Sequence, residues 1–328
     1  MSPAQILVIC GPTATGKTAL SLQLASQLSG ELISVDSRQV YQHMSVVTGK
    51  DIPDSFTFHN SDLQVPGLTL GYYTDGHTNL WGYDLATPDQ DFSVKLFLEF
   101  AYRVAQNIIS RHKLPILVGG TGLYLKAFFK PPPTFGIPIN SKLRQQLSGK
   151  SSSQLFQILQ QHSPTKAQSL NTSDRHNPQR LIRAIEVAIN QQPSSLSPWL
   201  TTYLQSPITY DALWIGLKFS DNHSMYNQID QRVEQRVGLA MDQEISFLKH
   251  QNYWHHAPQR TVGYQQWTRF LSGQLTREQA IQAWKYAEHY YARRQLTWFN
   301  RQPHIHWFNV LTDNYQQQIA KQVKEWYT

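Results

Sequence analysis

ILVICGPTATGKTALSLQLA, residues 6–25, is the stretch whose reading decides the fold. Its apolar opening predicts a buried strand and its close predicts a helix, while Gly11, Gly16, Lys17 and Thr18 between them fit G-x-x-x-x-G-K-[ST]. Strand, glycine turn and helix in that order make a phosphate-binding P-loop. The glycines let successive backbone N–H groups point at one polyphosphate, and the helix N-terminus adds partial positive charge on the same side. Gly11, Pro12, Thr13, Ala14, Thr15 and Gly16 would form the cradle, Lys17 would neutralise the terminal phosphate, and Thr18 would offer its hydroxyl to Mg²⁺. The motif leaves open which phosphorylated compound sits there.

Downstream, ELISVD (31–36) reads as a second buried strand with Asp36 at its carboxyl end, the edge where ligands gather in open α/β sheets. A magnesium-binding or helix-capping Asp would occupy the same position. Residues 45–90, rich in Gly, Pro, Asp, Asn and Thr, predict loops and short strands. Phe92, Leu96, Phe100, Val104 and Ile108 then recur at helical spacing, so a helix is expected from Asp91 to His112. A further strand, Pro115 to Val118, runs into Gly119, Gly120, Thr121 and Gly122 and another helix, repeating the P-loop logic without its lysine. Such a turn serves either a ligand or close packing of helix on sheet.

PPPTFGIPIN (131–140) and QQPSSLSPWL (191–200) are linker-like and bracket a stretch of helical spacing without strand character. The last helix of that stretch opens at Asn177 and Pro178 and carries Arg180 and Arg183 on one face. Strand character returns at ALWIGLKFS (212–220), and residues 224–250 read as helical with Arg232 and Arg236 on one face. A long helix from Thr276 to Phe299, a short strand HIHWFNV and a closing helix complete the chain. The expected fold class is α/β: a P-loop NTPase-like parallel sheet flanked by helices, formed by 1–130 and 209–328, with an inserted helical subdomain over 131–208.

The 328 residues carry 40% hydrophobic and 16% charged side chains, those of a folded soluble protein. No apolar run reaches membrane-spanning length and no signal peptide opens the chain, so the cytoplasm is the expected compartment. The single cysteine, Cys10, excludes an internal disulfide and a Cys-rich zinc site. His255 and His256 would face different ways, and His304 and His306 lack a third ligand nearby, so neither pair predicts a metal site. A net charge of +7 suits an anionic partner. In the long helix, Trp284, Tyr291 and Trp298 recur every seven residues, which predicts packing, while its exposed tyrosines with Arg293 and Arg294 suit a nucleic-acid surface.

Four stretches together resemble the tRNA dimethylallyltransferases of bacterial type: GPTATGKT (11–18), DSRQVY (36–41), VGGTGLYLKA (118–127) and NPQRLIRAIEV (177–187). TVGYQQ (261–266) and ARRQLTWF (292–299) add to the likeness, whereas TGKD (48–51) stands where the family more often has TAKP. The resemblance implies that the P-loop holds the diphosphate of dimethylallyl diphosphate, with Mg²⁺, and that the five-carbon group passes to N6 of the adenine immediately 3′ of the anticodon. Asp36 would be the general base, and Lys17, Thr18 and an arginine would stabilise the leaving diphosphate; Arg236 matches the family position, with Arg232 one turn before it. Asp36, Ser37, Arg38, Gln39 and Thr121, with Gln179, Arg180, Leu181, Ile182 and Arg183, would lie against the tRNA anticodon arm, which the helical insertion would clamp. A monomer with no zinc and no membrane partner is expected.

Three other classes share parts of the pattern. An ATP-dependent kinase would use the same P-loop and let Asp36 activate a hydroxyl. An isopentenyltransferase acting on free adenine nucleotides would need no RNA surface. A non-enzymatic RNA-binding P-loop module would survive loss of Asp36.

Overall fold

Ile6 to Cys10 of strand β1 (Ala4–Cys10) are buried without alternation, as a central parallel strand covered on both faces requires. β1 lies between β6 (Leu114–Gly119) and β7 (Tyr210–Lys218), parallel to both. Outward from β6 come β2 (Gly30–Ser34) and β5 (Asn79–Trp81), and beyond β7 comes β8 (Ile305–Asn309), all parallel. The stretch expected as loops and short strands supplies β5 together with β3 (Thr57–Asn60) and β4 (Gly71–Thr74), which close that edge antiparallel. The eight-stranded order is β3-β4-β5-β2-β6-β1-β7-β8.

The computed structural model describes residues 3–190 and 196–328. It divides into two units, Met1–Phe129 with Ile208–Thr328, and Lys130–Pro207. In the first unit, Leu20, Leu24 and Ala25 of the helix Lys17–Leu28 and Ile319 and Val323 of the closing helix pack on Leu7, Ile9, Ile116, Ile215 and Leu217 of the sheet. The helix expected from Asp91 begins instead at Val94, because the Ser93 hydroxyl caps it by accepting from Leu96 N. Phe97, Phe100, Val104 and Ile108 form its buried stripe. In the long helix Arg277–Phe299, Trp284 is fully buried while Tyr291 and Trp298 are half-buried. No described helix is long and apolar enough to cross a membrane.

Two buried groups mark the sheet. Glu31 on β2 is fully enclosed and accepts from Arg111 Nη1 (2.5 Å) and Nη2 (2.8 Å), Lys113 Nζ (2.8 Å) and Trp81 Nε1 (2.9 Å). Burial alone would raise its pKa, but the hydrogen bonds from Arg111, Lys113 and Trp81 outweigh it and hold the carboxyl at about 2. Cys10, at the end of β1, is fully buried, and that burial pushes its thiol pKa up.

Among its described residues the second unit is helical throughout, and the linker-like residues 191–195 lie outside them. Leu155 and Leu159 of the helix Ser152–His162 and Leu181 and Ile185 of the helix Pro178–Ile189 form its core. Buried Glu186 ties the unit's first helix to its fifth, accepting from Arg144 Nε (2.7 Å) and Nη2 (3.0 Å) and from Asn140 N (3.1 Å).

Candidate active site

Parallel strands end on one edge, and the register makes three of those ends neighbours: Cys10 of β1 is level with Gly119 of β6, and Ser34 of β2 with Val118. The ladder continues past the strands through Val35 N to Val118 O (2.7 Å) and Thr121 N to Val35 O (3.2 Å). The P-loop, Asp36 and the turn at Gly119 to Gly122 therefore share the carboxyl edge of the sheet.

Gly11 has φ +134°, and a Cβ there would lie 2.2 Å from Leu217 O, so only glycine lets the P-loop leave β1 against β7. Within the loop, Thr15 Oγ1 donates to Pro12 O (3.0 Å) and Lys17 Nζ to the same carbonyl (2.6 Å). Burial, and next the nearby positive charge of Arg232, lower the Lys17 pKa to about 8. Thr18, in the first turn of the helix, is half-buried, and its hydroxyl has no hydrogen-bond partner among the described residues.

Asp36 follows β2 in a tight turn where its Oδ1 accepts from Arg38 N (2.8 Å) and Gln39 N (3.4 Å). A turn and not a helix follows Asp36, so the carboxylate caps a turn: Oδ1 fixes it, and Oδ2 has no partner among the described residues. Ser37 N donates to Thr121 Oγ1 (3.2 Å), which binds this turn to the one after β6.

Two arginines approach from the helix Asn222–Arg236. Arg232 donates to Thr13 Oγ1 (3.0 Å) and Gly49 O (3.2 Å) and pairs with the Asp51 carboxylate. Arg236 donates from Nη1 to Val47 O (3.3 Å), and its Nη2 is buried without a partner. Burial, and then repulsion from Arg232, bring the Arg236 pKa down to about 10, so the guanidinium is still cationic at neutral pH. Both line a small cleft with Thr13, Ala14, Ile229, Val233 and Glu288. A buried, unpartnered N–H costs about 1–3 kcal/mol, and an anionic ligand offered at this cleft removes that cost.

The sequence reading missed three residues here. Gln295, nearly buried on the long helix, accepts from Thr13 N through Oε1 (3.0 Å) and donates from Nε2 to Gly120 O (3.1 Å). A Cβ at Gly119 would lie 2.2 Å from Val35 O, so the second glycine turn serves close packing of backbone on backbone. The signal for Gln295 was present in ARRQLTWF, a stretch noted only for its likeness. Asp51 closes TGKD, noted only as a departure from the family pattern, and Glu244 stood in a stretch that offered no local signal.

The residues expected against RNA separate. Ser37, Arg38, Gln39 and Thr121 surround Asp36 at the sheet edge, all partly exposed. On the helix Pro178–Ile189, Gln179 and Arg180 are exposed and Arg180 pairs with Asp174. Leu181 corrects the expectation for that stretch: it is fully buried in the unit's core, on the apolar stripe it shares with Ile185, and presents no side chain to RNA. Ile182 is half-buried against the same core. Arg183 turns inward from Arg180, donating to Ile137 O (2.8 Å) and Thr134 O (2.9 Å) and pairing with Glu186 (3.2 Å).

Two family models match the chain, isopentenyl transferase over residues 4–60 and IPP transferase over residues 77–302. The tRNA dimethylallyltransferase of Carboxydothermus hydrogenoformans is 32% identical across 98% of this chain and 97% of its own. That of Roseiflexus sp. is 32% identical across 98% of both. Among solved structures, the tRNA isopentenylpyrophosphate transferase of Bacillus halodurans superposes with a TM-score of 0.67 at 28% identity, covering 98% of this chain and 96% of its own. A eukaryotic dimethylallyltransferase acting on tRNA, at 22% identity and a TM-score of 0.71 over 98% of this chain and 77% of its own, shares the fold. With relatives this similar over nearly its full length, and a P-loop, a carboxylate and two arginines on one sheet edge, the chain belongs to the tRNA dimethylallyltransferase family.

Proposed function

We propose that this protein transfers a dimethylallyl group from dimethylallyl diphosphate to N6 of the adenine immediately 3′ of the anticodon in tRNA, releasing diphosphate. The observation that carries the reading is the pairing of a carboxylate oxygen left free, Asp36 Oδ2, with a buried guanidinium N–H left free, Arg236 Nη2, in the unit that also holds the P-loop. The first suits removal of a proton from an amine, and the second suits a departing anion.

N6 attacks C1 of the dimethylallyl group as the C1–O bond to diphosphate breaks, and the N6 proton passes to Asp36 Oδ2. Positioned general-base help of this kind contributes about 10²–10⁴-fold. The bonding electrons leave with the diphosphate, whose growing charge falls to the P-loop N–H groups, Lys17 and Arg236. Lys17 exchanges its bond to Pro12 O for a phosphate oxygen.

Mg²⁺ fits this donor set in one respect, the unpartnered Thr18 hydroxyl. Among the described residues no cluster of three His, Cys, Asp or Glu side chains competes to hold a metal. Bound there, Mg²⁺ would neutralise charge on the diphosphate oxygens.

The acceptor adenine is stacked in its loop and must be extruded to reach Asp36. Ser37, Arg38, Gln39 and Thr121 meet the RNA around that pocket, and Gln179 and Arg180 meet it on the helical unit. The test is mass spectrometry of an anticodon stem-loop RNA incubated with protein, Mg²⁺ and dimethylallyl diphosphate, with a parallel ATP reaction. One five-carbon addition on the adenine 3′ of the anticodon, lost in Asp36→Ala, is expected. Turnover of ATP or of a free adenine nucleotide with unmodified RNA would overturn the reading.

A further inference from the structure

Both arginines of the cleft take their bearings from one short turn. Arg236 Nη1 donates to Val47 O (3.3 Å), Arg232 Nη2 donates to Gly49 O (3.2 Å), and Gln39 Nε2, three residues after Asp36, donates to the same Gly49 carbonyl (2.9 Å). The turn is closed by Gly49 N to Val46 O (3.1 Å) and Lys50 N to Ser45 O (3.1 Å). Whatever sets the peptide planes at its start therefore sets the direction of the carbonyls at its end.

That start is held by one carboxylate from the other end of the unit's sequence. Glu244, on the helix Leu239–His250, accepts three consecutive backbone N–H groups: Ser45 N (2.6 Å) and Val46 N (2.7 Å) on Oε2, and Val47 N (3.1 Å) on Oε1. Its Oε1 also accepts from Tyr264 OH (2.7 Å), a fully buried tyrosine at the start of the helix Tyr264–Leu271. Four donors on one carboxylate leave it little rotational freedom, and charge-assisted bonds of this kind are about twice as strong as neutral ones. At its other end the turn is anchored by buried Lys50, whose Nζ donates to Tyr41 O (2.7 Å) and Asp84 Oδ1 (2.5 Å).

We infer that Glu244, oriented by Tyr264, is a positioning residue for the diphosphate side of the reaction: through the 45–49 turn it aims Arg236 and Arg232 at the leaving group without touching substrate. The inference rests on the reading of the cleft as the diphosphate site. Arg236 depends on it most, since Val47 O accepts from Nη1 and so places the guanidinium, while Nη2 has no acceptor. Small misplacements of such groups are costly: about 1 Å can cost about 10²-fold in rate.

The experiment compares Glu244→Ala and Tyr264→Phe with the unaltered protein in steady-state transfer to an anticodon stem-loop, and in calorimetric titration with inorganic pyrophosphate, after thermal melts confirm folding. Glu244→Ala is expected to raise KM for dimethylallyl diphosphate and Kd for pyrophosphate on the order of tenfold, with KM for the RNA within about twofold. Tyr264→Phe, which removes only the hydroxyl, is expected to shift the same two constants about threefold and decides the matter if Glu244→Ala does not fold. In an Arg236→Ala background the Glu244→Ala effect on pyrophosphate binding should shrink to under about twofold, as coupled residues require. Unchanged pyrophosphate Kd in the folded variants, or a full Glu244→Ala effect in the Arg236→Ala background, would reduce Glu244 to a structural staple and overturn the inference. A protein that binds pyrophosphate but does not modify the RNA would instead sink the proposed function, and the pyrophosphate comparison still judges Glu244.

Discussion

Gln295 stands between Thr13 and Gly120 with one side-chain atom bonded to each, so a single amide joins the P-loop to the glycine turn after β6. Replacing it with Leu keeps the volume and strands a buried N–H and a buried carbonyl, at about 1–3 kcal/mol for each group that finds no water. Gln295→Leu is expected to lower the urea unfolding midpoint and to raise KM for dimethylallyl diphosphate, since the Thr13 peptide plane belongs to the phosphate cradle. Denaturant titration alongside donor kinetics checks both.

Asp36 divides its work between two oxygens, which makes Asn an informative replacement. Asp36→Asn can keep the Oδ1 bonds to the turn while losing the acceptor for the N6 proton. The expected outcome is a fall in kcat of about 10²-fold or more, with pyrophosphate affinity within about twofold. Calorimetry and single-turnover transfer read the two quantities separately.

Lys17 has a pKa of about 8 in the free protein, lowered by burial and then by Arg232. A bound diphosphate stabilises the ammonium form and raises that pKa, so above pH 8 binding takes up a proton. Affinity for dimethylallyl diphosphate should therefore decline as pH rises beyond about 8. The heat of binding at pH 8.5 should vary with the ionisation enthalpy of the buffer, and Lys17→Met should abolish that dependence.

Glu31 governs acid stability. Its folded pKa of about 2 lies below its ordinary 4.5, so the stabilisation is present above pH 4.5 and is lost as pH falls towards 2. The shift corresponds to roughly 3 kcal/mol. Glu31→Gln should flatten the acid limb of a stability profile between those values. It should also lower stability at neutral pH, because Arg111 and Lys113 lose their shared acceptor; equilibrium denaturation at a series of pH values tests both.

What the sequence made legible was local. The P-loop, the turn at Asp36, the glycine turn after β6 and the Asn177 cap are each specified by neighbours a few residues apart, and the structure places the first three on one edge because their strands are parallel. The contacts of Gln295 and Glu244 could not be read locally because their partners lie 282 and about 200 residues away, at Thr13 and at Ser45 to Val47. Only the folded sheet brings those segments together. Leu181 shows the converse failure: a contiguous motif was read as one surface, yet a helix turns 100° per residue and sends one member of the stretch into the core.

Cys10 carries a practical consequence. As the one thiol of the whole sequence, sealed beneath the P-loop with its ionisation suppressed, it will not react with maleimide or iodoacetamide while the protein is folded. A cysteine introduced at an exposed position such as Gln179 can therefore be tagged with a fluorophore or spin label in the otherwise unaltered chain. Alkylation of Cys10 then becomes its own clock, reporting the opening of the central strand against which every labelled measurement can be calibrated.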